Sequence, residues 1–405
     1  MNQQYRDLPI SSRSPAAIAA IEHFADELVS HGAHCAVIFD AVAADPECAL
    51  AQAYAAALFL TAMTREGQVQ AAPRIALAQA LMANANERER HTIEAISAWA
   101  NGDDREAIRT FRTIVEIWSY DLVAAKLCQV LELGAGDFAG MCRTSAMVAG
   151  VDNRSGHALG LHAFALEQAG DPETAYRFAQ RAIELSPGRD PWAQHAAAHA
   201  MAAMGQPVEG RAFLHAHAPD WERCSSFMLT HNWWHAALFS IELGDESGAL
   251  NLFDERVWGV RKGHCQDQVN AISLLARLHM HGVSTNRRWD DIADHVESRA
   301  RDRVSAFLDL HYLYALAMAG RGDAANGMVE ALEASFQSGP LSGLARGIAA
   351  HARGDYLDAA VALGAARPYL EQVGGSNLQR DLFHRIFADS IRRMRVDYRR
   401  LPKAA

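Results

Sequence analysis

Apolar side chains return every three or four residues along almost the whole chain. Long alternating runs of the kind a half-buried strand needs are missing. Alanine, leucine, glutamate and glutamine carry the pattern, proline is sparse, and the chain reads as helix, turn, helix throughout. Glycines punctuate it. Gly102, Gly136, Gly170, Gly205, Gly244, Gly322 and Gly354 each follow an apolar helical stretch and precede an acidic or polar residue, at spacings of 34, 34, 35, 39, 78 and 32 residues. The gap of 78 holds two periods of 39. A period near 34 is the tetratricopeptide signature, in which each repeat is one pair of helices. Five residues after each glycine the side chain is small (Ala107, Ala175, Gly210, Ala249, Gly327, Ala359), with Met141 the exception. A small side chain there lets the second helix of a pair approach the first. Phe111 and Phe253 fill the next turn. "AIELSPG" (Ala182 to Gly188) and "DAVAADP" (Asp40 to Pro46) end repeats, because proline blocks further helix.

The prediction is an all-α chain, an α-solenoid of roughly ten to twelve tetratricopeptide-like helix pairs spanning residues 1–405 as one domain. Residues 1–15 read as an irregular N-terminal arm, and Gly259 to His264 and Gln337 to Gly343 as the longest irregular stretches.

Composition narrows the function. Half of the 405 residues are apolar, which supports a large core. A net charge of -10 makes a poor general binder of nucleic acid, so no nucleic-acid partner is expected. The one basic cluster, "RRMRVDYRR" from Arg392 to Arg400, reads as a solvated helix end. No secretory signal is visible, and the longest apolar run, Ala53 to Met63, is short of the ~20 residues a bilayer span takes. The six cysteines contain no C-x-x-C pair and read as thiols in a reducing compartment. A cytoplasmic protein without a membrane partner is expected.

Candidate chemistry gathers on the first helix of each pair, the helix that lines the concave face of a solenoid. "WAQHAAAHAM" runs up to Gly205 and "THNWWHAALF" up to Gly244. Counted back from those glycines at about 100° per residue, His195, His199, His231 and His235 fall within an arc of about 100°. His157 falls in the same arc. His311 joins it when counted from Gly320, the preferred choice, but not from Gly322; Asp309 then lies one turn away at the margin.

Four stretches resemble the tetratricopeptide repeat protein 38 family: "WAQHAAAH" (Trp192 to His199), "HNWWH" (His231 to His235), "RWDD" (Arg288 to Asp291) and "GGSNLQRDLF" (Gly374 to Phe383). They occur in the family's order, and the similarity covers residues from about 150 to 390. The resemblance implies a helical-repeat fold and brings no established reaction. Positions matching its motifs are His195, His199, His231, Asn232, Trp234, His235, Gln379, Arg380 and Asp381. His311 and Asp309 match a less distinct stretch, "LDLHY"; His157 and His162 belong to no motif of the family.

Three readings of these residues stand side by side. Two H-x-x-x-H pairs on adjacent helices can hold a metal, since i, i+4 histidines share a face and zinc accepts neutral imidazole at about 2.0–2.1 Å. Asp190, Glu222 and Asp309 are the carboxylates available to orient the imidazoles. The same histidines can serve as metal-free acids and bases, walled by Trp192, Trp233 and Trp234, with Asp309 or the Arg380–Asp381 pair orienting an imidazole or clamping a carboxylate. Arg380–Asp381 also reads as an ordinary pair at a helix start capped by "GGSN". The third reading is a binding scaffold for a peptide or protein. Trp233 and Trp234 lie 100° apart on a helix and cannot both face the groove. "HAH" at His215 and "HMH" at His279 point apart, Cys224 and Cys265 have no activating partner, and phosphate-loop, dinucleotide and nucleophile-elbow motifs are missing.

The leading expectation is a helical-repeat protein that binds a small molecule, peptide or protein in a His/Trp-lined groove through His195, His199, His231, Asn232, Trp234, His235, His311, Gln379 and Arg380. The alternative is a small-molecule enzyme with His199, His231, His235, Asp309, Arg380 and Asp381 as candidate catalytic groups. No cofactor is expected unless His195, His199, His231 and His235 hold zinc or another divalent metal.

Overall fold

The computed structural model of the chain describes residues 8–151, 155–285, 287–336, 339 and 341–400. Residues 1–7 of the expected arm, part of Gln337 to Gly343, and the side chains beyond Arg395 in the basic cluster lie outside the described residues.

The chain is all-α, as its hydrophobic period predicts. Among the described residues it forms α1 (Pro15–Ser30), α2 (Ile38–Ala44), α3 (Ala49–Thr61), α4 (Arg65–Ala80), α5 (Glu87–Ala100), α6 (Asp104–Ile117), α7 (Leu122–Ala135), α8 (Phe138–Val151), α9 (Gly156–Gln168), α10 (Pro172–Leu185), α11 (Pro191–Ala203), α12 (Pro207–His217), α13 (Ser226–Glu242), α14 (Glu246–Leu252), α15 (Cys265–Met280), α16 (Arg288–Val296), α17 (Ala306–Met318), α18 (Gly322–Ser335), α19 (Leu344–Arg353), α20 (Tyr356–Ala366) and α21 (Asn377–Arg400). These are ten helix pairs followed by α21. Several odd-numbered helices pack on their even partner and on the next odd helix, as α3 does on α4 and α5, α9 on α10 and α11, and α17 on α18 and α19, which is the contact pattern of stacked repeats.

The turns inside the pairs explain the spacing. Gly102, Gly136, Gly170, Gly205, Gly244, Gly282, Gly320 and Gly354 all have positive φ, where a Cβ would be strained. Aspartate commonly follows and caps the next helix: Asp103 accepts from Glu106 N at 3.0 Å and Asp171 from Thr174 N at 3.1 Å. The structure corrects one marker. The left-handed glycine is Gly320, while Gly322 is the first residue of α18, so Gly282 and Gly320 divide the long gap into two steps of 38. The buried small residue of that repeat is therefore Ala325, and Gly327 is exposed. At the other in-phase positions Ala107, Ala175, Ala249 and Ala359 are buried, and a Cβ on Gly210 would sit 2.3 Å from the Phe239 ring.

Two compact units divide the chain, Met1–Phe239 and Ser240–Ala405. In the first, α1 packs on α2 and also reaches α7. Residues 8–14, before α1, are irregular and tied down. Ser11 N donates to Glu89 Oε1 at 2.8 Å and Asn86 Nδ2 donates to Pro9 O at 2.9 Å. The other end of α1 is also fixed. His31 adopts a left-handed conformation, its carbonyl accepts from Ser225 N at 2.7 Å, and Gly32 bridges to Cys224.

In the second unit, α15 packs on α17 and α21. The buried Asp389 of α21 accepts from His351 Nε2 at 2.9 Å and Arg393 Nε at 2.6 Å, and Tyr314 OH lies 3.3 Å from His351 Nδ1. Burial pushes the Asp389 carboxyl up, but hydrogen bonds from His351 and Arg392 and the charge of Arg393 outweigh it and hold the group at about 2. All six cysteines are free, and burial pushes the Cys224 and Cys265 thiols up to about 12, so neither is a ready nucleophile. Among the described residues no helix is long and apolar enough to cross a membrane.

Two outcomes follow from this packing. Gly327→Ala should raise stability by about 0.5–1 kcal/mol, since an exposed helical glycine only costs entropy, whereas Ala325→Leu should lower it by about 1–3 kcal/mol through overpacking; urea unfolding of both variants checks the phase. Asp389→Asn should cost about 2–3 kcal/mol at neutral pH. Because the folded carboxyl titrates below its unfolded value of about 3.9, this stabilisation is complete above that pH and disappears as pH falls towards 2. Unfolding of wild type and variant across that range should show the gap closing.

Candidate functional site

The site grows from two alanine-rich helices of the first unit. α11 starts at Pro191 with Asp190 accepting from Ala193 N at 2.9 Å, a cap that sets where the helical count begins. Ala193, Ala196, Ala197, Ala198 and Ala200 are all fully buried. A Cβ on Gly160 of α9 would lie only 3.3 Å from Ala193 Cβ, so these helices pack backbone to backbone. His195 and His199 project from one face of α11, and His231 and His235 from one face of α13.

The four imidazoles converge. Ring centroids lie 4.6 Å apart for His195–His199, 4.9 Å for His195–His231, 4.9 Å for His195–His235, 4.7 Å for His199–His235 and 4.8 Å for His231–His235. One nitrogen from each can be chosen so that all lie within 4.8 Å of one another. None of the four is more than 2% exposed, so they form a buried knot and do not line an open groove. Neither nitrogen of His195 has a hydrogen-bond partner among the described residues. Burial, then the neighbouring His199, His231 and His235, pulls the His195 pKa well below its ordinary value, so this imidazole is neutral.

The surroundings answer why one helical turn carries two histidines and two tryptophans. Trp234 stacks flat on His231 at 5.1 Å, with 8° between the planes. Trp233 turns away and packs edge-on against Trp221 and His215, the separation that a 100° step requires. Phe164 of α9 closes a third side against His195 and His199. Glu167, also on α9, is buried with Oε2 3.1 Å from His199 Nδ1. This carboxylate is the one the sequence reading missed. Counted back from Gly170 it falls about 20° outside the histidine arc, so extending the same count to acids would have found it.

Asp190 and Glu222, expected beside the imidazoles, are placed elsewhere. Asp190 pairs with His157 at 3.1 Å and Glu222 is exposed. Asn232 is fully buried and its amide has no hydrogen-bond partner among the described residues. His162 leaves the set, 3.0 Å from Ser145 Oγ and edge-on to Phe178. Trp192, 4.6 Å from His195, also meets His31, which stacks on the indole at 4.9 Å, and Lys126, whose Nζ sits 3.6 Å above its centre. Neither His31 nor Lys126 carried a sequence signal.

The remaining candidates belong to the second unit. His311 Nδ1 lies 2.7 Å from Phe307 O, and burial, with the Arg277 charge, brings its pKa to about 4. Asp309 is 3.5 Å from Arg303, and burial outweighs that charge to hold its carboxyl at about 6. Gln379 and Arg380 serve the start of α21. Gln379 Oε1 accepts from Ser376 N at 2.9 Å, and Arg380 donates to Gly375 O and to Asn377 Oδ1. Asp381 lies 3.6 Å from Arg277 and also accepts from Arg385. This is the capped helix start that "GGSN" suggests. Arg380 also lines a polar pocket of about 170 Å³ with Arg367, Glu371, Asn377 and His384.

No protein-family model matches the chain. Among solved structures it is similar to a human IFIT1 dimer with m7Gppp-AAAA, at 14% identity over 95% of this chain and 92% of that one, with a TM-score of 0.45. It is also similar to the APC/C hetero-tetramer Cut9–Hcn1, at 12% identity over 90% of this chain and 69% of that one, TM-score 0.46. A third is the P58(IPK) TPR domain, at 13% identity over 95% of this chain and 97% of that one, TM-score 0.22.

Proposed function

We propose that this chain is a helical-repeat binding protein whose first unit holds a divalent transition-metal ion on His195, His199, His231 and His235. The observation that carries the reading is His195, a buried neutral imidazole with no hydrogen-bond partner for either nitrogen among the described residues. Leaving such groups unmet costs about 1–3 kcal/mol each. An ion bound by imidazole nitrogen removes that penalty, and convergence of three further imidazoles supplies a full donor set. Neutral nitrogen donors suit zinc, copper, nickel or iron(II) and not the hard cations calcium and magnesium. Glu167 is placed to hold His199 through Nδ1 and turn Nε2 to the ion, while offsetting part of the charge.

Four protein donors leave a tetrahedral ion no open position. The ion therefore ties α11 to α13 and sets the shape of the repeat scaffold, which does the binding. The motifs shared with the tetratricopeptide repeat protein 38 family support the reading, since "WAQHAAAH" and "HNWWH" supply all four imidazoles.

Untagged protein purified without chelators should carry about one transition-metal ion per chain by mass spectrometry. Metal-stripped protein should gain thermal stability when zinc or copper is returned. A His199→Ala, His231→Ala variant should show neither effect while keeping its helical circular dichroism. Folded wild-type protein that carries no metal and gains nothing from any first-row divalent ion would sink the proposal. Glu167→Gln should weaken metal affinity by about 10- to 100-fold without removing a ligand, which competition against a chromophoric chelator measures.

A further inference from the structure

The chain uses arginine almost everywhere. Of its 38 lysines and arginines only Lys126, Lys262 and Lys403 are lysines. Of the two that the structure describes, Lys126 is buried. Lys126, on α7, is 4% exposed, with Nζ 2.5 Å from His31 Nε2 and 3.6 Å above the centre of the Trp192 ring. An arginine there would stay charged at any pH, whereas a lysine can lose its proton and become a free amine. We propose that Lys126 is an amine nucleophile that condenses with a small aldehyde or ketone to form an imine, with His31 receiving the amine proton. This proposal is independent of the metal reading, because neither Lys126 nor His31 is among the four converging histidines.

The groups around Nζ favour the neutral amine. Burial brings its pKa down to about 7, and Asp190, the charge that opposes this, acts through space without an ion pair. His31, at the end of α1, is itself kept unprotonated by burial and by the Lys126 charge, so its Nε2 offers a lone pair. His157 of α9 lies beyond. Burial pulls its pKa down, but Asp190 outweighs that, so His157 takes up much of the Asp190 charge. Trp192 presents its face to the amine and excludes water from one side. A desolvated lysine beside cationic or polar neighbours is the recurring way a protein makes an amine nucleophile near neutral pH.

The chemistry balances without another reagent. The amine lone pair attacks the carbonyl carbon while one amine proton passes through His31 to the carbonyl oxygen. Loss of the second proton from nitrogen forms the C=N bond, and the oxygen departs as water with both protons.

The test uses the whole chain and propionaldehyde as the carbonyl probe, with cyanoborohydride to fix any imine as a stable secondary amine. Peptide mapping then follows the three lysines separately. Near pH 7 Lys126 should be modified on the order of tenfold faster than N-acetyllysine amide added to the same reaction, whose amine titrates at about 10.4, and its rate should level off above pH 7 while that of the added amine keeps rising towards pH 10. His31→Gln should slow the reaction at Lys126 several-fold and leave Lys262 unchanged. Lys126→Met should lose that adduct. Wild-type mapping alone is decisive if a variant fails to fold. A folded protein in which Lys262 is modified and Lys126 is not, or in which Lys126 follows the same pH course as the added N-acetyllysine amide, would overturn the proposal.

Discussion

Close approach of alanine-faced helices is the constraint from which the rest of the first unit follows. Where α9 meets α11, Gly160 faces Ala193 with no room for a larger side chain. Helices that close exclude water, and every polar group at their seam must be neutral, paired or bound to something. His195 is neutral, Glu167 lies against His199, and Asp190 answers both a helix cap and His157. The aromatic rings of Phe164, Trp192 and Trp234 complete the exclusion. A chemically quiet set of residues on a solvated helix thus becomes a set of desolvated donors.

The same constraint produces two kinds of reactive nitrogen at different distances from the helix seam. Within it, four imidazoles are close enough to share one ion, and burial keeps His195 neutral, the form that binds metal. One tryptophan away, the Lys126 amine is buried without a carboxylate in contact, which suits it to give up a proton. The second depends on the N-terminal region. The left-handed turn at His31, whose carbonyl accepts from Ser225 N, puts one imidazole against both Trp192 and the Lys126 amine.

In the second unit the buried Asp389 and Arg277 are met by opposite charge. Asp389 meets His351, Arg392 and Arg393, and Asp381 meets Arg277 and Arg385. These groups are paired with opposite charge and hold α21 in place. Arg380, singled out for chemistry by its motif, completes the loop before that helix. Its neighbours are the residues its own capping geometry requires.

What the sequence by itself determined is the repeat. A left-handed turn demands glycine and a tight helix pair demands a small residue in phase, so both leave periodic marks at Gly102, Gly136, Gly170 and Gly205. Where a pair is longer, the marks at Gly282 and Gly320 lose their phase, and Gly322 is a natural mistake because it too precedes an aspartate. The angular count also placed the four histidines on one face of their helices, since i, i+4 spacing is local. It could not tell a groove from a buried knot, because burial depends on what arrives from elsewhere in the chain. Glu167 comes from a neighbouring repeat, while His31 and Lys126 come from segments about 70 to 160 residues before the motif helices. No local period encodes such approaches. Only tertiary packing decides which nitrogens are stripped of water, and with it which of them can bind or react.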